Sequence, residues 1–267
     1  MKIARTIAEV REALAAIGEV GLVPTMGAFH AGHVSLFRAA RVENEMVVVS
    51  LFVNPAQFDA ADDLAAYPRD EAHDAVVAER EGVDVLFAPS PEEVYPGGFA
   101  TWVDVEGLGD RLEGAFRPGH FRGVATVCLK LFNMVRPDRA YFGEKDAQQA
   151  ALVMKLVDDL NVDVDIRVLP TVRDDDGLAL SSRNARLNPE HREAAAALPR
   201  ALQAGAAAYA RGEDAAAAAQ RVLDAEPHVV PQYVEVARFD GRLVLAAAAQ
   251  VGGIRLIDNV TLQEEPA

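Results

Sequence analysis

Two histidines three residues apart, His30 and His33, close the run Pro24-Thr25-Met26-Gly27-Ala28-Phe29-His30-Ala31-Gly32-His33. The run follows a short apolar stretch and precedes a helical pattern. The pair therefore falls where backbone N–H groups lack partners and the helix dipole favours anions. Gly27 and Gly32 let backbone approach a bound group closely. Imidazoles placed there can donate hydrogen bonds to phosphate oxygens as negative charge grows on them. A lone histidine in such a loop would read as a surface residue. Two of the chain's six histidines at one helix start favour phosphate chemistry. Zinc would require a third ligand, and no neighbouring Cys or Glu offers one, so no metal ligands are assigned.

Three more segments carry groups suited to a bound substrate. Phe52-Val53-Asn54-Pro55-Ala56-Gln57-Phe58 ends an apolar run, and Asn54 and Gln57 can each donate and accept toward hydroxyl and carboxylate groups. Turn chemistry alone would also explain an Asn-Pro pair. In Phe142-Gly143-Glu144-Lys145-Asp146-Ala147-Gln148-Gln149, Gly143 permits close approach and Lys145 offers a point charge to phosphates. Asp146 could accept from ribose hydroxyls, or serve as the capping acid of a helix with Gln149 three residues on. Leu178 to Asn184 holds Ser181, Ser182 and Arg183, a set suited to clamping phosphate if the loop closes, and otherwise ordinary solvated polypeptide. The stretches Glu113 to His120 and Asp138 to Lys145 add positive groups.

The elements that must position these residues alternate through the first two-thirds of the chain. Val20 to Pro24, Met46 to Val53, Val83 to Ala88, Arg139 to Phe142 and Val162 to Leu169 read as strands. Met46 to Val53 is continuously apolar, as in a strand buried on both faces. Helical patterns fall at about His33 to Glu43, Asp70 to Glu81, Gly123 to Val135 and Asp146 to Leu160. In the third of these, Val124, Val127, Cys128, Leu131, Phe132 and Val135 share one face. This β-α rhythm predicts an α/β fold, a Rossmann-like doubly wound parallel sheet over residues 1–171. After Thr171 come Ala-rich helices, Pro189 to Tyr209 and Asp214 to Ala225. Short strands follow at Tyr233 to Phe239, Arg242 to Ala248 and Ile254 to Asp258, with Asp240-Gly241 as a hairpin signal. Residues 172–267 are thus expected to form a smaller C-terminal α+β lid domain.

Composition narrows the classes. With 26 Lys+Arg against 41 Asp+Glu, the 267-residue chain carries a net charge of −15, which argues against a nucleic-acid partner. The single cysteine, Cys128, can form neither an internal disulfide nor a cysteine-based zinc site. No apolar run approaches the ~18 residues that span a bilayer, and the N-terminus lacks the apolar core of a signal peptide. A cytoplasmic protein with no membrane partner is expected.

Taken in series, P-T-M-G-A-F-H-A-G-H, V-N-P-x-Q-F, L-E-G…R-P-G-H-F, F-G-E-K-D and S-S-R-N resemble the pantothenate synthetase (pantoate–β-alanine ligase) family over nearly the whole chain. The H-x-G-H element by itself is shared across the wider nucleotidyltransferase superfamily. The resemblance implies ligation in two steps. Pantoate and ATP give pantoyl adenylate and pyrophosphate, and β-alanine then displaces AMP. It implies an ATP site lined by Met26, Gly27, Ala28, Phe29, His30, Ala31, Gly32 and His33, with His30, His33 and Lys145 catalytic and His33 as proton donor to the leaving group. Gly143, Glu144, Lys145, Asp146, Val172, Leu180, Ser181, Ser182 and Arg183 would complete the nucleotide site. Gln57 and Gln149 would hold pantoate, Gln57 would also meet β-alanine, and Asn54 and His120 would support them. Mg²⁺ and a homodimer are implied as well. Two positions depart from the family pattern: Leu180 stands where Met is frequent, and Phe29 where Leu is usual.

Three other kinds of protein share parts of this pattern. A nucleotidylyltransferase would keep the histidines without needing the two glutamines. A class I aminoacyl-tRNA synthetase is disfavoured by the chain's size and charge. A non-catalytic nucleotide-binding regulator would need neither Lys145 nor the serine loop.

Overall fold

In the computed structural model, which describes residues 1–15, 18–59 and 61–263, the chain falls into two compact units. Met1–Glu144 and Gln149–Leu169 form the first; Lys145–Gln148 and Pro170–Ala267 form the second. The division lies two residues before the 171/172 boundary expected from composition, and a four-residue segment from the middle of the chain groups with the second unit. One cause is a hydrogen bond from Asn259 Nδ2 to the Lys145 carbonyl, 2.9 Å.

The first stretch of chain runs β1 (Lys2–Ala4), α1 (Ile7–Ala13), β2 (Val20–Thr25), α2 (Ala31–Glu43), β3 (Met46–Leu51), α3 (Ala61–Ala66), α4 (Glu71–Arg80), β4 (Val85–Phe87) and α5 (Pro91–Val94). It continues through α6 (Glu113–Phe116), α7 (His120–Val135), β5 (Arg139–Gly143), α8 (Ala147–Asp159) and β6 (Asp165–Leu169). The six strands make one parallel sheet in the order β1-β4-β3-β2-β5-β6. Val47, Val48, Val49 and Ser50 are buried, as the continuous apolar run of β3 requires of a strand covered on both faces. On α7 the expected stripe is inside, with Val124, Cys128, Leu131, Phe132 and Val135 all buried against the sheet's core cluster.

The order of the sheet decides where a ligand can bind. From β2 the chain steps to β3 and β4 on one side, and from β5 to β6 on the other. The reversal lies between β2 and β5, which pair directly (Gly21 with Arg139, Leu22 with Ala140). Loops leaving the carboxyl ends of strands on either side of such a reversal diverge and open a crevice. The histidine loop follows β2, the Asn54–Gln57 segment follows β3, and the Gly143 segment follows β5. Strand β1 has no counterpart in the sequence reading because three residues at a sheet edge carry too little pattern.

The second unit holds α9 (Pro189–Ala195), α10 (Ala197–Tyr209), α11 (Ala215–Asp224) and an antiparallel sheet of β7 (Val229–Phe239), β8 (Arg242–Val251) and β9 (Ile254–Thr261). Asp240 and Gly241, with φ of +45° and +75°, form the two-residue turn between β7 and β8 that the sequence signals. The expected helix over Pro189 to Tyr209 is two helices that meet at Ala196. Pro199 is the reason: it has no N–H to offer the Ala195 carbonyl, and its ring crowds that carbonyl.

Candidate active site

The loop from β2 into α2 is shaped by its backbone before any side chain acts. Gly27 and Ala28 lie consecutively in the left-handed region, at φ +89° and +53°. A Cβ on Gly27 would sit 2.6 Å from Leu51 Cδ1 and 2.8 Å from Asp74 Oδ2, so only glycine fits. The buried carboxylate of Asp74, from α4, accepts from Ala28 N and Phe29 N, each at 2.8 Å. Burial pushes the Asp74 carboxyl above its ordinary value, and the two N–H bonds only partly offset that. Phe29 anchors the loop inward, packing edge-on against Phe37 at 5.1 Å.

The turn delivers His30 to the N-cap of α2 and His33 to its first turn. His30 Nδ1 accepts from Gly32 N at 3.1 Å, and His33 Nδ1 accepts from His30 N at 3.3 Å, a capping box built from two imidazoles. Accepting a backbone N–H requires a lone pair on Nδ1, so each neutral ring carries its hydrogen on Nε2. The rings lie with centroids 4.2 Å apart. Both present Nε2–H donors at a helix N-terminus, which suits anionic oxygens.

After β3, Pro55–Gln57 forms a short 3-10 turn capped by Asn54, whose Oδ1 accepts from Ala56 N. The turn packs directly on α7 because Gly123 has no side chain: a Cβ there would lie 2.3 Å from Ala56 O. Asn54 Nδ2 donates to Gln57 Oε1 at 3.0 Å and to Gly123 O at 3.1 Å. The Gln57 carbonyl is held in turn by His120 Nδ1 at 2.8 Å and Arg117 Nη2 at 3.3 Å. His120 must donate to that carbonyl, so its hydrogen is on Nδ1, the opposite tautomer to His30 and His33. Asn54 and His120 thus both converge on Gln57. A cleft of ≈ 330 Å³ opens beside this turn, with Met26, Leu51, Phe52, Pro55 and Asp74 among its walls. Arg69, Asp70 and Glu71 also line it, whereas Gln57, His30 and His33 are not among its walls.

Beyond β5, Gly143 faces open space and Gln149 sits half-buried near the start of α8. Both belong to the first unit, as do Met26, Gly27, Ala28, Phe29, Ala31 and Gly32. Lys145 and Asp146 belong to the second, where Lys145 Nζ lies 3.4 Å from Asp146 Oδ1. In the same unit the structure brings Val172 and Leu180 together through Leu180 N to Val172 O, 3.0 Å, with Arg173 and Ala179 bridged beside them. Ser181 caps the turn Ser182–Arg186, its hydroxyl accepting from Arg183 N.

Asp74 and Tyr95 carry no signal in the sequence. Tyr95 Oη lies 2.8 Å from Asn54 Oδ1. Neither sits in a motif; each acts through a partner 41 or more residues away, which spacing does not reveal. Arg117 lies in a basic stretch that reads only as added charge until the fold sets it on the Gln57 carbonyl.

The family model described as pantoate-beta-alanine ligase matches residues 2–261. A pantothenate synthetase of Roseiflexus castenholzii is 52% identical over 98% of this chain and 100% of its own length. One from Moorella thermoacetica is 50% identical over 98% and 99%. Among solved structures, pantothenate synthetase from Thermus thermophilus superposes with a TM-score of 0.93 at 45% identity, covering 97% of this chain and 99% of that one. Pantoate-beta-alanine ligase from Francisella tularensis, solved with beta-gamma ATP and beta-alanine, gives 0.84 at 35% identity over 98% and 97%. With a family model spanning nearly all its residues and relatives half identical from end to end, the chain belongs to the pantoate–β-alanine ligase family.

Proposed function

We propose that this protein joins pantoate to β-alanine with ATP, through a pantoyl adenylate, and releases pyrophosphate and AMP. The observation that carries the reading is the pairing at two neighbouring strand ends: Nε2–H donors at the start of α2 after β2, and the clamped amide of Gln57 after the adjacent strand β3. The first suits phosphate, the second a hydroxy acid.

A carboxylate does not acylate an amine in water without a good leaving group. In the first step a pantoate carboxylate oxygen attacks the α-phosphorus, and the bond from that phosphorus to the bridging oxygen breaks. Charge grows on the phosphate oxygens and on the departing pyrophosphate. His30 and His33 offset it by hydrogen bonding from Nε2. Because His33 Nδ1 accepts from backbone, this role fits hydrogen-bond donation better than the full proton transfer that the family resemblance implies for His33. Lys145, Ser181, Ser182 and Arg183 supply further donors to phosphate, with Glu144 beside Lys145 lining the same nucleotide. Gly143 and Asp146 are assigned to the ribose, and Val172 and Leu180 to the rest of the nucleotide. In the second step the β-alanine nitrogen attacks the acyl carbon, AMP leaves, and the nitrogen gives up a proton. Gln57 and Gln149 hold pantoate, with Gln57 also meeting β-alanine. Neutral amides orient an attacking carboxylate without holding its charge back as a cation would. The anhydride is water-labile, which gives the C-terminal unit a purpose as a lid.

Among the described residues no three His, Cys, Asp or Glu side chains are grouped to hold a metal ion. Mg²⁺ fits here as an ion carried mainly by the phosphates of ATP, since it keeps waters and takes few protein ligands. When bound, it neutralises phosphate charge. No helix among the described residues is long and apolar enough to cross a membrane. A cytoplasmic site, where ATP is supplied, and the homodimer implied by the family complete the proposal.

The test is a single turnover with ATP and pantoate. Pyrophosphate should appear before β-alanine is added, and AMP with pantothenate only afterwards. Pyrophosphate released without pantoate, or into a product that retains the nucleotide, would point to a nucleotidylyltransferase instead. Gln57→Ala and Gln149→Ala should bind ATP almost normally in calorimetry yet lose most pantoate-dependent release, at about 1–3 kcal/mol per lost hydrogen bond.

A further inference from the structure

The oxygen and nitrogen of a glutamine amide are distinguished by what they bond, and for Gln57 the surroundings decide. The decision starts at Asn54, which is 1% exposed and meets two backbone groups whose roles are fixed. Gly123 O, 3.1 Å from Nδ2, can only accept; Ala56 N, 3.3 Å from Oδ1, can only donate. These set the orientation of Asn54. Its second Nδ2 hydrogen then goes to Gln57 Oε1 at 3.0 Å, which takes the acceptor end of Gln57. The Gln57 NH2 group is left for a ligand, and no protein group among the described residues takes it.

The chain of assignments has one more member. Asn54 Oδ1 is an acceptor, so the Tyr95 hydroxyl, 2.8 Å away, must be the donor. We propose that Tyr95 is a positioning residue for the ligation: by donating to Asn54 Oδ1 alongside Ala56 N it holds Asn54 steady in the orientation that leaves Gln57 offering only N–H donors, so that this position receives a carboxylate or hydroxyl oxygen and turns away an ammonium group. The inference rests on the assignment of Gln57 to the acid substrate. It makes Gln57 a one-way reader. Both acids would be held there by oxygen, and the amine of β-alanine is kept pointing elsewhere.

Two features suit Tyr95 to the task. Its ring is held without help from the hydroxyl, edge-on to Phe99 at 5.0 Å, stacked near Trp102 at 6.2 Å, with Lys130 Nζ 5.8 Å from its centroid. Burial also pushes the phenol far above its ordinary value, so it stays protonated and able to donate. Removing the hydroxyl therefore leaves the aromatic packing in place and tests the hydrogen bond alone.

The experiment is a cycle of Tyr95→Phe, Gln57→Ala and the double variant, read as kcat/KM for pantoate in pyrophosphate release at saturating ATP. Tyr95→Phe should lower kcat/KM for pantoate about five- to tenfold, the effect of one buried hydrogen bond, with the KM for ATP unchanged and the melting temperature retained. In the Gln57→Ala background the same substitution should change kcat/KM by less than about twofold, because there is no amide left to orient. An equal loss in both backgrounds, or no loss in either, overturns the relay. If Gln57→Ala itself leaves pantoate dependence intact, the assignment of Gln57 to the acid falls and the relay with it. That outcome differs from failure of the relay alone, in which Gln57→Ala is impaired and Tyr95→Phe is not.

Discussion

Replacing Asp74 by Asn should disable the histidine loop while leaving the space filled by the side chain unchanged. The two side chains are nearly isosteric, so packing around α4 is undisturbed. What changes is the pair of bonds from Ala28 N and Phe29 N, each 2.8 Å. The amide keeps one acceptor oxygen and turns its NH2 group toward the other backbone N–H. A buried donor left facing a donor costs about 1–3 kcal/mol, and the surviving bond weakens because its acceptor is no longer charged. A neutral amide also recovers part of the desolvation cost that raises the Asp74 carboxyl. The net loss of stability should be about 1–3 kcal/mol. Catalysis should suffer more. Ala28 holds φ +53°, a conformation costing about 1–2 kcal/mol for a residue with a Cβ, and the Asp74 bonds are what hold it there. Released, the loop relaxes and carries His30 away from the N-cap of α2. A misplaced donor to developing phosphate charge lowers the rate by about 10²-fold or more. Urea unfolding measures the first effect and pantoate-dependent pyrophosphate release the second. A variant with an unchanged midpoint and the wild-type rate would show that Asp74 does not shape the loop.

Acid should act on the same bond. Burial raises the folded-state value of Asp74 above its unfolded one, so folding favours the protonated form. Its contribution to stability is fully present below the unfolded value and is lost as pH rises through the folded value. The loop, however, needs the ionised form. Adenylation by the wild type should therefore begin to fall at a pH higher than the ordinary aspartate value would give, without a matching loss of stability from this group. Asp74→Asn should lack that acid limb; a limb persisting in the variant would assign it to another group.

Three further outcomes are expected. His30→Asn keeps a good N-cap and should match the wild type in stability, whereas His30→Ala should lose about 0.5–2 kcal/mol. Both should adenylate about a hundredfold more slowly, and normal rates in either would remove the imidazole from the chemistry. Gly123→Ala sets a Cβ against Ala56 O and 2.7 Å from Gln57 N, so it should cost about 1–3 kcal/mol and raise the KM for pantoate more than that for ATP. Equal changes in both constants would argue against a local shift of the Gln57 turn. Cys128 is buried with its thiol pushed up to about 12, so it should resist alkylation at pH 8 until the chain unfolds. Cys128→Ala should lose about 1 kcal/mol and keep its turnover, and a folded but inactive variant would contradict the packing role.

The features legible in the sequence are those made by neighbours along the chain. The apolar stripe of α7, the continuous burial of β3, the Asp240-Gly241 turn and the histidine pair at a helix start depend on contacts within about four residues, which spacing records directly. The break at Ala196 goes unread in the sequence, where one helix is expected over Pro189 to Tyr209, although its cause, Pro199, is equally local. Other features arise only once the sheet is assembled. The order β1-β4-β3-β2-β5-β6 places the reversal beside the histidine loop, and no periodicity encodes which strands are adjacent. Asp74 reaches Phe29 across 45 residues, Tyr95 reaches Asn54 across 41, and His120 reaches Gln57 across 63. Lys145 joins the C-terminal unit through Asn259, 114 residues away. The sequence thus determined which groups could touch phosphate and acid, because their types and helix-end positions are local properties. The tertiary structure alone decided which nitrogen of His120 carries the hydrogen and, through Gly123 on Asn54, which end of the Gln57 amide Asn54 takes. Those choices are made by buried partners brought close in space from distant parts of the chain.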